Sequence, residues 1–409
     1  MLPHSAGFAA AVSAPFAKVH SRLDLVRPDG TVRFVLEAVD GTVTWSRQSG
    51  AIVAQLDVHA VDRTDNYDLD ETTTIRQAYY GSDGDTYGGM GGIYGVYSQT
   101  IQTGALMPYG SEVRVYRGFR VAGQPELVLV GTFQLYDMQW DGDRAISLTL
   151  RDRSQLVQDH IYGFEPVSIA PGTPYEAAID RVFQSGLNDY WRPRIGRSIA
   201  PTGEVTPKLD LGTSPGGNRW ADVSSMARVC RQYAYFNRHG NLVVAPAADP
   251  MTATAAWTLK DGPGGTLVSV SRKILKSETF NGVIVTGSNS SSKDRVRGEA
   301  RDDADPASPT YWQGPFGYKA RTVSTPLVST SAMAQNLANA IFVDQQGMHE
   351  QVDVTFLPHP ALEITDIVHV DYSVLGMDYR YRIDRLSLPL GAQGLETATL
   401  KRRKSTDEY

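Results

Sequence analysis

The chain has 409 residues, 41% of them hydrophobic and 21% charged, with a net charge of -6. That balance argues against a disordered chain, which needs fewer apolar residues and more net charge, and against a sequence-independent nucleic-acid groove, which needs a basic surface. The lone cysteine, Cys230, excludes a disulfide framework and a cysteine-based zinc site. The length suits about two to four domains with separate cores.

Met1 to Ala17 lacks a basic residue ahead of its apolar stretch, and Pro3 and Pro15 interrupt it, so no secretory signal is expected. No run reaches the roughly 20 apolar residues of a membrane helix. Gly7 to His20 reads as a short amphipathic helix, the arm of a first segment 1–20.

Most of the chain beyond this arm reads as strand. Ser21–Val26 and Thr31–Ala38 are joined by the turn Arg27-Pro28-Asp29-Gly30, where proline fixes φ and glycine relieves crowding. A second turn is expected at Asp40-Gly41, ahead of Thr42–Ser46. Ala54–Ala60 alternates, Leu56 and Val58 against Asp57 and His59. Residues 65–110 change character: Asp65, Asp68, Asp70 and Glu71 are acidic, and Tyr79 to Tyr97 is crowded with Gly and Tyr. Tyrosine offers large contact area at little entropy cost, so Tyr79, Tyr80, Tyr87, Tyr94 and Tyr97 are the candidate interface residues of an extended loop or irregular hairpin. Strands resume at Glu112–Tyr116, Leu127–Tyr136 and Ala145–Arg151, with an Asp-Gly hairpin signal at Asp141-Gly142.

The middle, 161–275, is mixed. Pro174 to Ser185 reads as a helix with Tyr175, Ala178, Ile179, Val182 and Phe183 on one face, ended by Gly186. Trp220, Val223, Met226, Ala227 and Cys230 recur at helical spacing after a cap near Asn218, with Cys230 as a small core residue. Ala234–Phe236, the turn Asn237–Gly240 and Asn241–Val244 make a hairpin. In the last segment, 276–409, Asn281–Gly287 begins a strand, 288–318 is a polar insertion, and Ser331–Phe342 is a helix with Met333, Leu337, Ala340 and Ile341 inward. The basic run Lys401-Arg402-Arg403-Lys404 reads as a solvated strand end or tail.

The first and last thirds repeat one pattern. Ala54–Ala60, Ser111–Tyr116, Gly131–Trp140 and Ile146–Arg153 correspond in order and length to Glu350–Phe356, Thr365–Asp371, Tyr379–Leu388 and Thr397–Arg403. The expected fold is mainly β with some α: two related antiparallel, tube-type β-barrels, 21–160 and 276–409, flanking a mixed α+β middle. Three such chains would set six barrel units in a quasi-sixfold ring.

Four passages carry a resemblance: Gly131 to Leu156 with the ending Asp152-Arg-Ser-Gln-Leu-Val157, Trp220 to Val244, Asn281 to Gly287, and Gly347 to Lys401. In this order they resemble phage baseplate-hub and tail-tip minor tail proteins, and Pro108 to Val113 is most similar to minor tail proteins of actinobacterial phages. The 65–110 loop and the 288–318 insertion depart from the compact hub pattern. The resemblance implies a structural role in the virion, at the tail tip, after assembly in the host cytoplasm. It implies a homo-oligomer, preferentially a trimer, with four partners: a tail tube or distal tail protein, the tape-measure protein, a central fibre or spike, and DNA only in transit. A peptidoglycan-cutting domain, carried by some relatives, is not expected.

No enzyme chemistry is expected. Gly-x-Ser-x-Gly is absent, the eight histidines form no metal pair, and His359, between prolines, reads as a turn residue. The acidic 65–71 segment lacks EF-hand spacing; Asp83, Asp85, Asp141 and Asp143 belong to turns. No cofactor or metal site is expected. Two alternatives stay open: a host-polysaccharide-binding or depolymerising tail component using Trp45, Trp191, Trp257 and Trp312 as platforms, and the hub of a contractile injection system.

Overall fold

Alternating apolar residues at a period of two place one face of each strand inward, and here they do so over most of the chain. The structure is a computed structural model describing residues 1–14, 19–26, 30–48, 50–61, 72–78, 96–102, 110–140, 145–162, 166–212, 217–274, 276–277, 279–287, 296–325, 327–345 and 350–402. It is mainly β with a few helices and is dominated by one large, largely antiparallel sheet.

Helix α1 (Ala6–Val12) opens the chain, capped by the Ser5 hydroxyl, which accepts the Phe8 N–H. It is shorter than the predicted 7–20 helix, because His20 already belongs to β1 (Val19–Val26). Strands β2 (Val32–Gln48), β3 (Ala51–Val61), β4 (Thr72–Ala78), β5 (Val96–Gln102), β6 (Glu112–Val121), β7 (Gln124–Trp140) and β8 (Ala145–Arg151) come next. Antiparallel ladders join β1 to β2, β2 to β3, β3 to β8, β8 to β7, β7 to β6, and β6 back to β1. Leu23, Val43, Leu56, Val113, Val130, Phe133, Leu148 and Leu150 are buried in the core of this first strand set. The expected turn at Asp40-Gly41 is instead a bulge, with the register shifting between Ala38 and Asp40. At Gly41, φ is 149° and a Cβ would lie 2.8 Å from the Asp57 carbonyl oxygen, so glycine lets β2 run on along β3. Within 65–110, β4 and β5 pair as an antiparallel hairpin.

The middle begins with α2 (Ser154–Asp159), β9 (Val167–Ile169) and α3 (Tyr175–Ser185). It continues with β10 (Arg197–Ile199), β11 (Leu209–Leu211), α4 (Arg219–Val229), β12 (Gln232–Phe236) and β13 (Leu242–Pro246). All five predicted apolar residues of α3 are fully buried, with Ile179, Val182 and Phe183 each contributing about 1.5–3 kcal/mol. Asn218 caps α4 through its side-chain oxygen, which accepts from Trp220 and Ala221. Cys230 is the C-cap of α4 and only half-buried; burial pushes its thiol up to about 12.

Then come β14 (Trp257–Lys260), β15 (Leu267–Ile274), β16 (Gly282–Thr286), β17 (Arg297–Arg301), β18 (Ala320–Ser324) and α5 (Ser331–Gln345). Strands β16, β17 and β18 form a separate sheet under α5, so part of the predicted 288–318 insertion is a strand. The buried face of α5 is Ala334, Leu337, Ala338 and Ile341, with Met333 and Ala340 half-buried at its sides. The chain closes with β19 (Glu350–Phe356), β20 (Ile367–Tyr372), β21 (Met377–Pro389) and β22 (Glu396–Lys401). In this second strand set β19 pairs β22, β22 pairs β21 and β21 pairs β20, while β15 lies on β19 and β14 lies parallel to β20. Thus β14 and β15, within 161–275 of the sequence, hydrogen-bond to strands of the last segment.

The two sets share one register. Gln55, Leu56, Asp57 and Val58 stand opposite Arg151, Leu150, Thr149 and Leu148. Gln351, Val352, Asp353 and Val354 stand opposite Lys401, Leu400, Thr399 and Ala398. The bulges coincide too: the β7 register shifts between Leu135 and Asp137, and the β21 register shifts between Ile383 and Arg385. The sets are joined where Thr42–Ser46 of β2 pair antiparallel with Pro389–Arg385 of β21.

Candidate docking strands and the buried junction

Three parts of the chain meet at the β12–β13 turn. Arg238, inside the Asn237–Gly240 turn, is only 7% exposed. Its guanidinium donates to the carbonyls of Leu129 at 3.1 Å, Pro360 at 2.6 Å and Leu362, and pairs with Glu363 at 3.2 Å. Its own carbonyl accepts the Thr132 hydroxyl at 2.9 Å. One side chain therefore ties the middle hairpin to both strand sets.

The Asp152-Arg153-Ser154 sequence builds the joint next to it. Asp152 accepts the Ala54 N–H at 2.6 Å, the Ser154 N–H at 2.9 Å and the Ser154 hydroxyl. Burial lifts its carboxyl to about 6 against these hydrogen bonds. Arg153 grips Glu112 with two nitrogens, at 2.7 and 2.8 Å, and reaches the Gly240 carbonyl at 2.6 Å. Val157 continues into the middle core. The motif that carried the resemblance is thus a mechanical joint between β3, β6 and the β12–β13 turn.

A second buried group lies under α1. Arg117 on β6, His359 in the β19–β20 connection and Glu396 at the start of β22 are each 0% exposed. Glu396 accepts the His359 N–H at 2.6 Å, and burial raises its carboxyl to about 8. Burial lowers Arg117 to about 10 and His359 to about 4. The other Glu396 oxygen, both His359 ring nitrogens, and Nε and Nη1 of Arg117 have no hydrogen-bond partner among the described residues. The His359 ring stacks edge-on to Trp257 at 4.4 Å and to His4 at 5.3 Å. His359 is therefore an aromatic core residue as well as a turn residue. Both buried carboxylates face inward to backbone groups, an arrangement that holds elements together and presents neither acid to solvent.

Of the predicted interface tyrosines, Tyr79, Tyr80, Tyr87 and Tyr94 lie outside the described residues; Tyr97 is on β5, opposite Gln77. Asp65, Asp68, Asp70, Glu71, Asp83, Asp85, Asp141 and Asp143 also lie outside them. The four tryptophans are not brought together. Trp45 packs between the cores of the two sets, Trp191 is buried near Arg153, Trp257 faces His359, and Trp312 lies under Arg301. The basic end is not simply solvated: Arg402 is 3% exposed and stacks on Tyr379 at 3.6 Å, and Lys401 pairs with Asp384 at 2.9 Å. Arg117, Arg238 and Glu396 escape sequence reading, because isolated charged residues in strands and turns carry no periodic signal.

Two strand edges lie apart from these joints. Among the described ladders, β15 pairs only with β19, and β7 beyond Leu135 pairs only with β8. On β15, Val268 is 55% exposed, and Ser271, Arg272 and Lys273 are exposed as well.

No family model matches the sequence, and no curated protein matches it. Three solved structures share the fold over nearly their whole length. A tail protein from Neisseria meningitidis aligns with a TM-score of 0.60 at 15% identity, covering 94% of this chain and 97% of its own. The 43 kDa tail protein of prophage MuSo2 from Shewanella oneidensis gives 0.58 at 13%, covering 94% and 98%. The prophage tail protein gp18 from Listeria monocytogenes gives 0.54 at 11%, covering 94% and 96%. The chain has the fold of phage tail proteins.

Proposed function

We propose that this chain is a structural tail-tip or baseplate hub protein of a tailed phage, forming a ring that closes the tail tube, anchors a central fibre or spike and lets DNA pass. The carrying observation is the pair of strand sets with one register and one bulge position, joined edge to edge by β2 and β21. A chain holding two equivalent units lets three copies present six, which matches a threefold part to a sixfold tube. The near-full-length likeness to three tail proteins supports the same reading.

In this reading each strand set is a tube-type barrel unit. The cycle of ladders through β1, β2, β3, β8, β7 and β6 supports that for the first set. The ring is a trimer at the tail tip of the virion. Its neighbours are a tube or distal tail protein, the tape-measure protein, and the fibre or spike. The 65–110 segment, with Tyr79, Tyr80, Tyr87, Tyr94 and Tyr97, is the interface loop that contacts one of these neighbours. The protein acts by assembly and not by catalysis.

Light scattering on the purified full chain, with negative-stain images of the same sample, tests this. A threefold ring with an axial hole is the expected result. A chain that stays monomeric at every concentration, alone and with tube protein, would overturn it.

A further inference from the structure

We infer that copies of this chain join head to tail through a β-ladder between β15 of one copy and the C-terminal half of β7 of the next. This inference rests on the ring reading above and names the strands that would make the ring.

Within one chain the two strand sets meet through β2 and β21, antiparallel, with Thr44 opposite Ser387. The shared register identifies the counterparts of both strands. β2 lies on β3 with Thr42 opposite Asp57, and β15 lies on β19 with Ser271 opposite Asp353. Asp57 and Asp353 are equivalent, since each stands opposite the matching threonine, Thr149 or Thr399. β15 is therefore the β2 of the second set. By the same logic β7 is the β21 of the first set, and their bulges coincide.

The chain thus uses one β2–β21 joint internally and carries both halves of another, one half in each set. Among the described ladders both halves have an open side. An exposed edge as long as β15 is an aggregation liability unless something covers it. Strand addition covers it with main-chain hydrogen bonds. Because the two halves are different surfaces, the contact is heterologous and repeats around a ring until it closes.

The register of the internal joint transfers directly. Thr44 corresponds to Lys273 and Ser387 to Gln139, so Lys273 of one copy stands opposite Gln139 of the next, with Ile274 opposite Met138 beside it. Directly opposed residues in an antiparallel ladder hold their Cα atoms about 4.5–5.5 Å apart, within disulfide reach.

The test is the full-length chain carrying Gln139→Cys and Lys273→Cys in a Cys230→Ala background, mildly oxidised, with each single cysteine variant as control. Mass under denaturing, non-reducing conditions is compared with light scattering of the unaltered chain, and a thermal melt confirms folding. Covalent species up to the solution oligomer, from the double variant only, are expected. An oligomeric chain whose folded double variant does not cross-link overturns this interface and leaves the ring reading standing. A chain monomeric at every concentration, alone and with tube protein, overturns both.

Discussion

Arg238 and Glu363 pair at 3.2 Å across the join between the middle hairpin and the second strand set. The pair matters less than what surrounds it, since the same guanidinium also satisfies the buried carbonyls of Leu129, Pro360 and Leu362. Arg238→Met keeps the side-chain volume and strands those acceptors. It is expected to lower unfolding free energy by about 3 kcal/mol or more, measured by urea denaturation. Arg238→Lys should recover only part of this, because an ammonium lacks the planar fork. A loss within experimental error for Arg238→Met would show that the junction does not depend on this residue.

Periodic elements are legible in the sequence: the α3 face, the Asn218 cap, the β12–β13 hairpin and the repeat of four strands all come from spacing alone. The joints are not. Asp40-Gly41 carries turn chemistry, but a ladder with β3 on one side and β21 on the other keeps β2 extended, so tertiary pairing overrides the local signal. Arg402 reads as part of a solvated basic run, yet it lies across Tyr379. Such partners come from distant segments, and no local pattern encodes them.

Glu396 gives the stability a pH dependence with a definite sign. Burial raises its carboxyl from 4.5 to about 8, so the folded chain keeps a proton that the unfolded chain has released. Its contribution is complete below pH 4.5 and is lost as pH rises toward 8. Asp152, raised from 3.8 to about 6, behaves likewise at lower pH. Between about pH 6.5 and 8 the Glu396 effect stands apart, with a slope of up to about 1.4 kcal/mol per pH unit. Glu396→Gln is expected to flatten that slope, whatever it does to the absolute stability beside Arg117. Parallel slopes for the two proteins in denaturant titrations would reject the assignment.

His359 acts in the opposite sense. Burial lowers it from 6.5 to about 4, so its contribution is present above pH 6.5 and is lost as pH falls toward 4. His4, the N-terminal ammonium and Arg238 oppose its protonation, while Glu396 receives its backbone N–H. His359→Phe preserves the ring packing against Trp257 and removes two nitrogens that have no partner among the described residues. The variant is expected to match or exceed the parent melting temperature at about pH 7, and to lose less than the parent as pH falls from about 6.5 to about 4. A variant markedly less stable at neutral pH would mean that those nitrogens are satisfied by water.

Gly50 tests how tightly the middle segment docks on the first strand set. It lies in the β2–β3 turn at φ 91°, and a Cβ there would sit 2.1 Å from the Ser224 carbonyl oxygen and 2.8 Å from the Arg228 Cβ, both on α4. Its own carbonyl accepts the Ala234 N–H of β12 at 2.9 Å, so the turn is held between a helix and a strand and has no room to yield. Gly50→Ala is expected to cost about 2–5 kcal/mol, the sum of backbone strain and overpacking. Gly123, in the β6–β7 turn, has a similar φ of 85° with nothing within 4 Å of its Cβ position, so Gly123→Ala bears only the strain, about 1–2 kcal/mol. The difference between the two, read from guanidinium midpoints, measures the docking contact itself. Equal costs would mean that α4 moves aside without penalty, and that the middle segment is only loosely joined to the β2–β3 turn.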